Sequence, residues 1–315
     1  MSALLCCAVL ATSCSDDPEP VAVPQVVDEA LTPVYDGTLE PAEAVMALVP
    51  EAATVLVVTD YAELRLELEQ SELTSESTAK DRTRFWRVAD RTAVLFSPGL
   101  LRGVDRRLRK QYGFTQDDVA WEARFGTPTG EGWVLAFRDD LDLAGVQRAV
   151  DDGVGPLAGA DVDAAESLVS LGTTSDPISS WAADAARVDL VGPIASATYV
   201  DTACIPYDVA FDDGEATDLA AAPAADVEAL DELGPFSVSY GTTLVTVRLG
   251  AVRNDTFDRA RLPDILPRTD PEFGLGYLDP VADPSGGRIG YRLGDPDVAE
   301  RLARRRHLPF AVCAS

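Results

Sequence analysis

The chain has 315 residues, of which 46% are hydrophobic, and its net charge of −27 arises from 53 acidic and 26 basic residues. This apolar content is typical of a globular protein and, at this length, of a core sufficient for about two domains. It excludes a disordered polyanion. Because the excess of negative charge repels phosphate backbones, nucleic acid is not expected as a partner.

The first 13 residues are almost wholly apolar or small. A membrane-spanning helix needs about 20 apolar residues, whereas the apolar core of an export signal is shorter. Segment 1–13 is therefore predicted to be a signal peptide and not a membrane span.

Residues 10–14 read LATSC, in which small residues follow an aliphatic one and precede a cysteine. This motif resembles the signal of bacterial cell-envelope lipoproteins of the Gram-positive, high-GC type. The resemblance implies that Cys14 becomes the N-terminus, carries a lipid and anchors the protein to the outer face of the cell membrane. The alternative is a cleaved signal followed by an incidental cysteine.

Residues 14–50 are rich in proline and acidic side chains, which is typical of an extended, solvated linker. Together with a lipid on Cys14, this composition predicts a tether that holds the folded part of the protein clear of the lipid headgroups. We expect the folded part to consist of two units, residues 51–190 and 191–315.

Three stretches, 54–68, 132–150 and 287–305, share one pattern, in which an apolar strand leads through an aspartate into an amphipathic helix. Aspartates at such junctions are typical helix N-caps, because their carboxylates accept backbone N–H groups of the first turn. The predicted caps are Asp60, Asp140 or Asp142, and Asp295 or Asp297.

Further helices are predicted at 81–94 and 98–113, and further strands at 119–125 and 166–172. The order over residues 54–172 is strand, helices, two strands, helix and strand, which is that of a ferredoxin-like βαββαβ unit. Residues 196–293 repeat this order more loosely. The sequence therefore predicts an α+β fold of two ferredoxin-like pseudo-repeats with antiparallel or mixed sheets.

Cys204 and Cys313 are the cysteines of the folded part, since Cys6 and Cys7 belong to the signal. Each follows a helix and a predicted strand that come after one of the pseudo-repeats, so equivalent positions bring them together. Two cysteines in an exported domain most often pair, and we predict a Cys204–Cys313 disulfide. The alternative is two buried free thiols.

The sequence contains one histidine, His307, and no phosphate-binding loop, dinucleotide motif or C-x-x-C pair. No catalytic residue, cofactor or metal site is therefore predicted. Acidic pairs such as Asp117–Asp118 and Asp139–Asp140 are interpreted as caps, turns and solvated faces. The loop 279–287 offers oxygen ligands for Ca²⁺ but lacks the spacing of an EF-hand.

Two basic clusters stand out from the acidic background: Arg102, Arg106, Arg107, Arg109 and Lys110 form the first, and Arg304, Arg305, Arg306 and His307 form the second. One interpretation is that cations gather at helix C-termini, where they interact with the negative end of the helix dipole. The other is a docking patch for anionic lipid headgroups or an anionic wall polymer.

These observations predict a lipid-anchored extracytoplasmic protein that acts as a non-catalytic binding or scaffolding module of the cell envelope. Its expected partners are the membrane, reached through the lipid, and an envelope protein or wall polymer. The alternative is an extracytoplasmic hydrolase that uses a pair of carboxylates, at least one of them desolvated, in its deepest cleft.

Overall fold

The computed structural model describes residues 34–211, 227–265 and 272–314. The strands of these residues form one sheet of ten strands. The strands are β1 (Val55–Asp60), β2 (Val119–Thr127), β3 (Gly130–Phe137), β4 (Asp161–Asp163), β5 (Leu168–Leu171), β6 (Ala197–Asp201), β7 (Phe236–Tyr240), β8 (Leu244–Arg248), β9 (Tyr277–Asp283) and β10 (Arg288–Leu293). The sequence pattern does not predict β4, which has three residues, or β9, which contains Pro280 and occupies most of the loop weighed for Ca²⁺. Proline in a strand is confined to sheet edges, and β9 is an edge strand.

The strand order is β4-β5-β3-β2-β1-β6-β7-β8-β10-β9, and every neighbouring pair is antiparallel. From the centre to one edge the order is β1-β2-β3-β5-β4, and from the centre to the other edge it is β6-β7-β8-β10-β9. The two halves therefore have the same strand order. Strands from residues 51–190 and strands from residues 191–315 join in this one sheet through the pairing of β1 with β6. The division into two units stays a prediction.

The α+β class is confirmed, but the strand order is not that of a ferredoxin-like unit. In that unit the third strand lies between the first and the second, which splits the βαβ motif. Here β1 pairs directly with β2, and β6 pairs directly with β7. The sequence pattern did not distinguish these arrangements, because both use the same succession of strands and helices along the chain.

The α-helices whose two ends lie within the described residues are α1 (Pro41–Ala44), α2 (Tyr61–Glu67), α3 (Ala79–Thr92), α4 (Asp105–Gln111), α5 (Ala144–Asp151), α6 (Ala185–Val188), α7 (Tyr207–Ala210), α8 (Thr256–Ile265), α9 (Phe273–Gly276) and α10 (Pro296–Arg305). Of the predicted caps, Asp60 accepts the N–H of Glu63 and Asp142 that of Ala144, each at 2.9 Å, and Asp295 caps α10. The helix predicted at 98–113 is shorter, with a 3₁₀ turn at Arg102–Val104 before α4.

Helices α2–α5 and α8–α10 pack on the same face of the sheet. Val57 in β1 lies directly opposite Arg124 in β2 and Tyr199 in β6, and Arg124 lies opposite Trp133 in β3. Directly paired residues point to the same side of a sheet. Trp133 belongs to the apolar core beneath α2–α5, and Tyr199 belongs to the core beneath α8–α10, so both cores share one face.

The N-terminal part of the described chain covers the opposite face of the first half. Val45, Met46 and Val49 are fully buried there, in one cluster with Leu56 of β1 and with Trp181. This corrects the C-terminal limit of the tether predicted at 14–50. Residues 45–49 pack on the sheet instead of extending into solvent, because their apolar side chains fall on one side of a helical turn.

The predicted disulfide between Cys204 and Cys313 is confirmed, with the two Cα atoms 4.9 Å apart. The strand expected before Cys204 is formed as β6, which ends at Asp201, whereas the strand expected before Cys313 is not formed. Cys204 follows β6 in a loop, and the residues before Cys313 make a 3₁₀ turn at Pro309–Ala311. A single parallel bridge, between Ile205 and Val312, joins the two segments.

Candidate binding face

A local excess of positive charge lies on α3, α4 and the chain between them. Residues 79–111 include ten of the 26 basic residues of the protein but only three acidic ones, Asp81, Asp90 and Asp105. The basic residues are Lys80, Arg82, Arg84, Arg87, Arg91, Arg102, Arg106, Arg107, Arg109 and Lys110. We call the surface of residues 79–111 the basic face. It has the opposite sign to a chain whose net charge is −27.

Helix α3 separates apolar and basic side chains onto two sides. Its start is fixed by Thr78, whose hydroxyl oxygen accepts the N–H of Asp81 at 3.2 Å. Phe85, Trp86 and Ala89 are buried in the core. The exposed side carries Lys80, Arg84, Arg87 and Arg91, which recur at the three- and four-residue intervals of one helix face.

Helix α4 begins at Asp105, and its one buried side chain is Leu108. Arg106 and Arg107 therefore lie in its first turn, and only Arg109 and Lys110 lie in its last. The interpretation of this cluster as cations at a helix C-terminus therefore applies only to Arg109 and Lys110. It does not apply to Arg106 and Arg107, because the positive end of the helix dipole disfavours cations in the first turn. The dipole thus leaves most of the basic face unexplained.

A groove runs between α3 and α4. It consists of two adjoining cavities of about 410 and 580 Å³, which share Arg82 and Asp105 as lining residues. The cations that line the groove are Arg82, Arg87, Arg102, Arg106, Arg109 and Lys110, and the carboxylates are Asp90, Asp105 and Asp117. Cations from both helices thus flank one concave surface.

Asp117 lines the groove and is 2% exposed. We call Asp117 and the side chains that it contacts the inner wall of the groove. The carboxylate of Asp117 accepts the indole N–H of Trp86 at 2.8 Å and the hydroxyl of Thr115 at 3.1 Å, and it forms an ion pair with Arg82 at 3.3 Å. The guanidinium of Arg102 lies 4.3 Å from the centre of the Trp86 ring, within cation–π range. Asp117 is therefore compensated within the protein and fixes the orientation of the residues around it.

A second buried carboxylate, Glu122 in β2, positions the turn that leads to α4. It accepts the N–H of Leu100 at 2.9 Å and hydrogen bonds from the hydroxyls of Ser97 and Tyr61, and it pairs with Arg124 at 2.8 Å. Alternation along β2 places Glu122 on the side opposite Trp121. It does not show that helices bury that side.

Most cations of the basic face have no ion-pair partner among the residues that the structure describes. The exceptions are Arg82, which pairs with Asp117, and Arg102, which pairs with Asp90 at 3.4 Å. The eight cations without such a partner are all exposed. They are Lys80, Arg84, Arg87, Arg91, Arg106, Arg107, Arg109 and Lys110. The basic face thus presents cations whose charge the described protein does not neutralise.

Arg304 and Arg306 of the second basic cluster form contacts within the fold. Arg304 donates to the carbonyl of Phe96 and pairs with Glu300, and Arg306 pairs with Asp201 at 2.9 Å. His307 is 8% exposed. These contacts join the end of α10 to the loop after α3 and to the last residue of β6, so Arg304 and Arg306 do not extend the candidate site.

The acidic pairs do not come together as a desolvated carboxylate pair in the cavity of about 890 Å³ beside β2 and β3. Its carboxylates, those of Asp36, Asp139 and Glu166, are all exposed, although aromatic side chains such as Trp121 line its wall. Asp117 and Asp118 are buried, but hydrogen bonds and ion pairs occupy both. Neither arrangement favours the carboxylate hydrolase.

No group of three or more His, Cys, Asp or Glu residues within the described ranges is arranged to hold a metal ion. The helices of those ranges are all too short or too polar to cross a membrane. Cys14, the predicted lipidation site, lies outside the described residues. Comparison of the chain with protein families, with curated proteins and with solved structures gave no match.

Proposed function

We propose that the protein is a non-catalytic binding module of the bacterial cell envelope, anchored to the outer face of the cell membrane by a lipid on Cys14. Its folded part, built from two pseudo-repeats that share one sheet, engages an anionic envelope partner through the basic face. The observation that carries this proposal is the charge contrast. Ten basic residues stand within 33 positions of a chain with net charge −27, and most of them have no ion-pair partner in the described protein.

The contrast supports binding because unneutralised cations of one sign on neighbouring helices repel one another. An anion that binds between them removes this repulsion and releases counterions. The same surface also limits which partners the protein accepts, because the remaining surface is strongly acidic and repels anions. An anionic partner is therefore directed to the basic face.

Binding is tested with the full-length Cys14→Ala chain on phosphocellulose at neutral pH and about 0.1 M salt. At this ionic strength charges further apart than about 10 Å are largely screened, so the distant acidic surface has little effect. We expect the protein to be retained despite its net charge and the Arg106→Glu/Arg109→Glu variant to flow through. The matched control is Arg261→Glu/Arg292→Glu, which makes the same change in net charge outside the basic face and should be retained. Equal elution of both variants would reject the proposal.

The anchor is tested separately in the producing bacterium. The wild-type protein should partition into the detergent phase, and Cys14→Ala should appear in the medium. A Cys14→Ala protein that stays in the membrane fraction would show that another segment anchors it.

A further inference from the structure

We propose that the groove between α3 and α4 binds a linear polyanion, a chain of repeating phosphate groups, and not the flat surface of an anionic bilayer. This inference rests on the proposed function and names the chemical class of the partner.

The first argument is the concave shape of the site. The two adjoining cavities share Arg82 and Asp105 as lining residues. Arg87 lines one cavity, and Arg106 and Arg109 line the other. A chain that follows the groove meets cations from both helices, whereas a flat surface reaches only their outermost side chains.

The second argument is the spacing of the cations along the groove. Arg102, Arg106 and Lys110 follow one another at four-residue intervals. The step from Arg106 to Lys110 lies within α4 and corresponds to about 6 Å along the helix axis, and Arg102 precedes them in the 3₁₀ turn that leads into α4. A row of cations along one direction suits a ligand whose charges also repeat along one direction. A single phosphate ion uses only one step of this row.

The third argument is that the basic face lacks apolar groups for membrane insertion. The exposed large hydrophobic side chains of the described residues are Val34, Leu39, Leu66, Ile178, Ile194, Leu244, Val252, Phe257, Leu275 and Val281. None belongs to residues 79–111. A surface that docks on a bilayer usually adds such side chains to its cations, because they bury apolar area at the boundary between headgroups and acyl chains.

The carboxylate of Asp117 lines the groove but does not repel a bound polyanion strongly, because contacts within the protein compensate its charge. Asp117 is neutralised by Arg82 and hydrogen-bonded to Trp86, so it holds both side chains in place without leaving an open negative charge. Arg102 is held by the Trp86 ring. Arg106, Arg109 and Lys110 form no ion pair with the described protein and can bind phosphate oxygens.

The inference is tested by measuring the affinity of the full-length Cys14→Ala chain for long-chain inorganic polyphosphate at several salt concentrations. Orthophosphate and phosphatidylglycerol vesicles are the comparison ligands. We expect polyphosphate to bind at least tenfold more tightly than orthophosphate, per phosphate, and more tightly than the vesicles. In Arg106→Glu/Arg109→Glu the slope of log affinity against log salt should become shallower by about 0.7 for each phosphate that the variant no longer neutralises.

Two controls define the result. The Arg261→Glu/Arg292→Glu variant should bind polyphosphate as the wild type does, and circular dichroism should show both variants folded. Binding to the vesicles through Arg106 and Arg109 without binding to polyphosphate would overturn this inference and leave the proposed function intact. Binding to neither ligand, together with no retention on phosphocellulose, would overturn both. Equal binding of polyphosphate and orthophosphate, per phosphate, would overturn the inference by reducing the site to one for a single phosphate.

Discussion

Arg259 in α8 shows how a single charged residue holds the C-terminal end of the described chain. It is fully buried, donates hydrogen bonds to the carbonyls of Phe310 and Val312 at 3.1 and 2.8 Å, and pairs with Asp255 at 2.7 Å. A buried guanidinium is favourable only when hydrogen bonds replace its lost hydration. Arg259 meets this condition through backbone carbonyls that carry no sequence signature.

We expect Arg259→Leu to lower the free energy of unfolding by about 3 kcal/mol, because two buried carbonyls lose their donor while Asp255 keeps its ion pair with Arg253. The control is Arg261→Leu, two residues further along α8 and exposed, which should stay within about 0.5 kcal/mol of the wild type. Urea unfolding under non-reducing conditions measures both. Equal stabilities for the two variants would show that the buried contacts contribute nothing net.

Asp60, the N-cap of α2, should make stability depend on pH. Burial raises the pKa of its carboxyl from 3.8 to about 6. The folded state therefore binds a proton more readily than the unfolded state between pH 4 and 6, so stability should decrease as pH rises through this range. The difference in pKa corresponds to about 3 kcal/mol at neutral pH.

The variant Asp60→Asn keeps an N-cap acceptor and has no carboxyl to ionise. We expect it to be more stable than the wild type at pH 7, by at most about 3 kcal/mol, and to have a flatter stability profile between pH 4 and 6. The control is Asp142→Asn just before α5, where the exposed carboxylate accepts the N–H of Ala144, and this variant should leave the profile unchanged. A profile of Asp60→Asn that parallels the wild type would contradict this prediction.

At the scale of elements, the sequence predicted most strands and helices because apolar periodicity determines them locally. It predicted Asp60 as a cap and offered Asp295 or Asp297 for α10, of which Asp295 is the cap. It did not predict where α4 begins, because Leu108 alone marks the buried side of that helix. Because α4 begins at Asp105, Arg106 and Arg107 lie in its first turn, where the helix dipole does not explain them. The cluster is therefore a candidate binding surface.

The groove itself was not predictable, because it depends on how two helices lie beside each other. Arg82 and Arg87 in α3 belong to it together with Arg106 and Arg109 in α4, but in the sequence they are separated by about 20 residues. The signal that was present in the sequence is the density of basic residues over 79–111 as a whole. The disulfide could be predicted because two cysteines in an exported domain most often pair, whatever the strand order.

The groove between α3 and α4 should bind polyanions more tightly as pH falls. The pKa of Asp105 is raised by burial and by Asp117, while Arg82 and Arg102 act in the opposite direction. Protonation of Asp105 removes one negative charge from the groove.

We expect the variant Asp105→Asn, which retains an acceptor for the N–H of Gln116, to bind polyphosphate about fivefold more tightly than the wild type at pH 7 and with a weaker pH dependence. The exposed control Asp139→Asn should bind as the wild type does, and a fivefold gain there as well would assign the effect to net charge.

At the scale of the whole molecule, the two halves use the same strand order but differ in the charge of the connection between their first two strands. The connection from β1 to β2 contains the basic face, whereas the equivalent connection, residues 202–235, has nine acidic residues and no Lys or Arg. The shared strand order therefore does not determine the charge of the surface. Binding is expected to be a property of the first half, while the second half supplies the sheet edge and the closure of the chain.

That closure is the disulfide between the loop after β6 and the C-terminal segment, which links residues 109 positions apart. Closing a loop of this length reduces the entropy of the unfolded chain and contributes up to about 4 to 5 kcal/mol by the chain-entropy estimate. We expect Cys204→Ser/Cys313→Ser to unfold at a lower urea concentration than the wild type. The bridge lies outside the groove, so the variant should keep its affinity for polyphosphate. Dithiothreitol serves as the control, since it should destabilise the wild type and leave the variant unchanged. If the variant and the wild type unfold at the same urea concentration without reductant, the disulfide does not stabilise the fold and its role must be sought elsewhere.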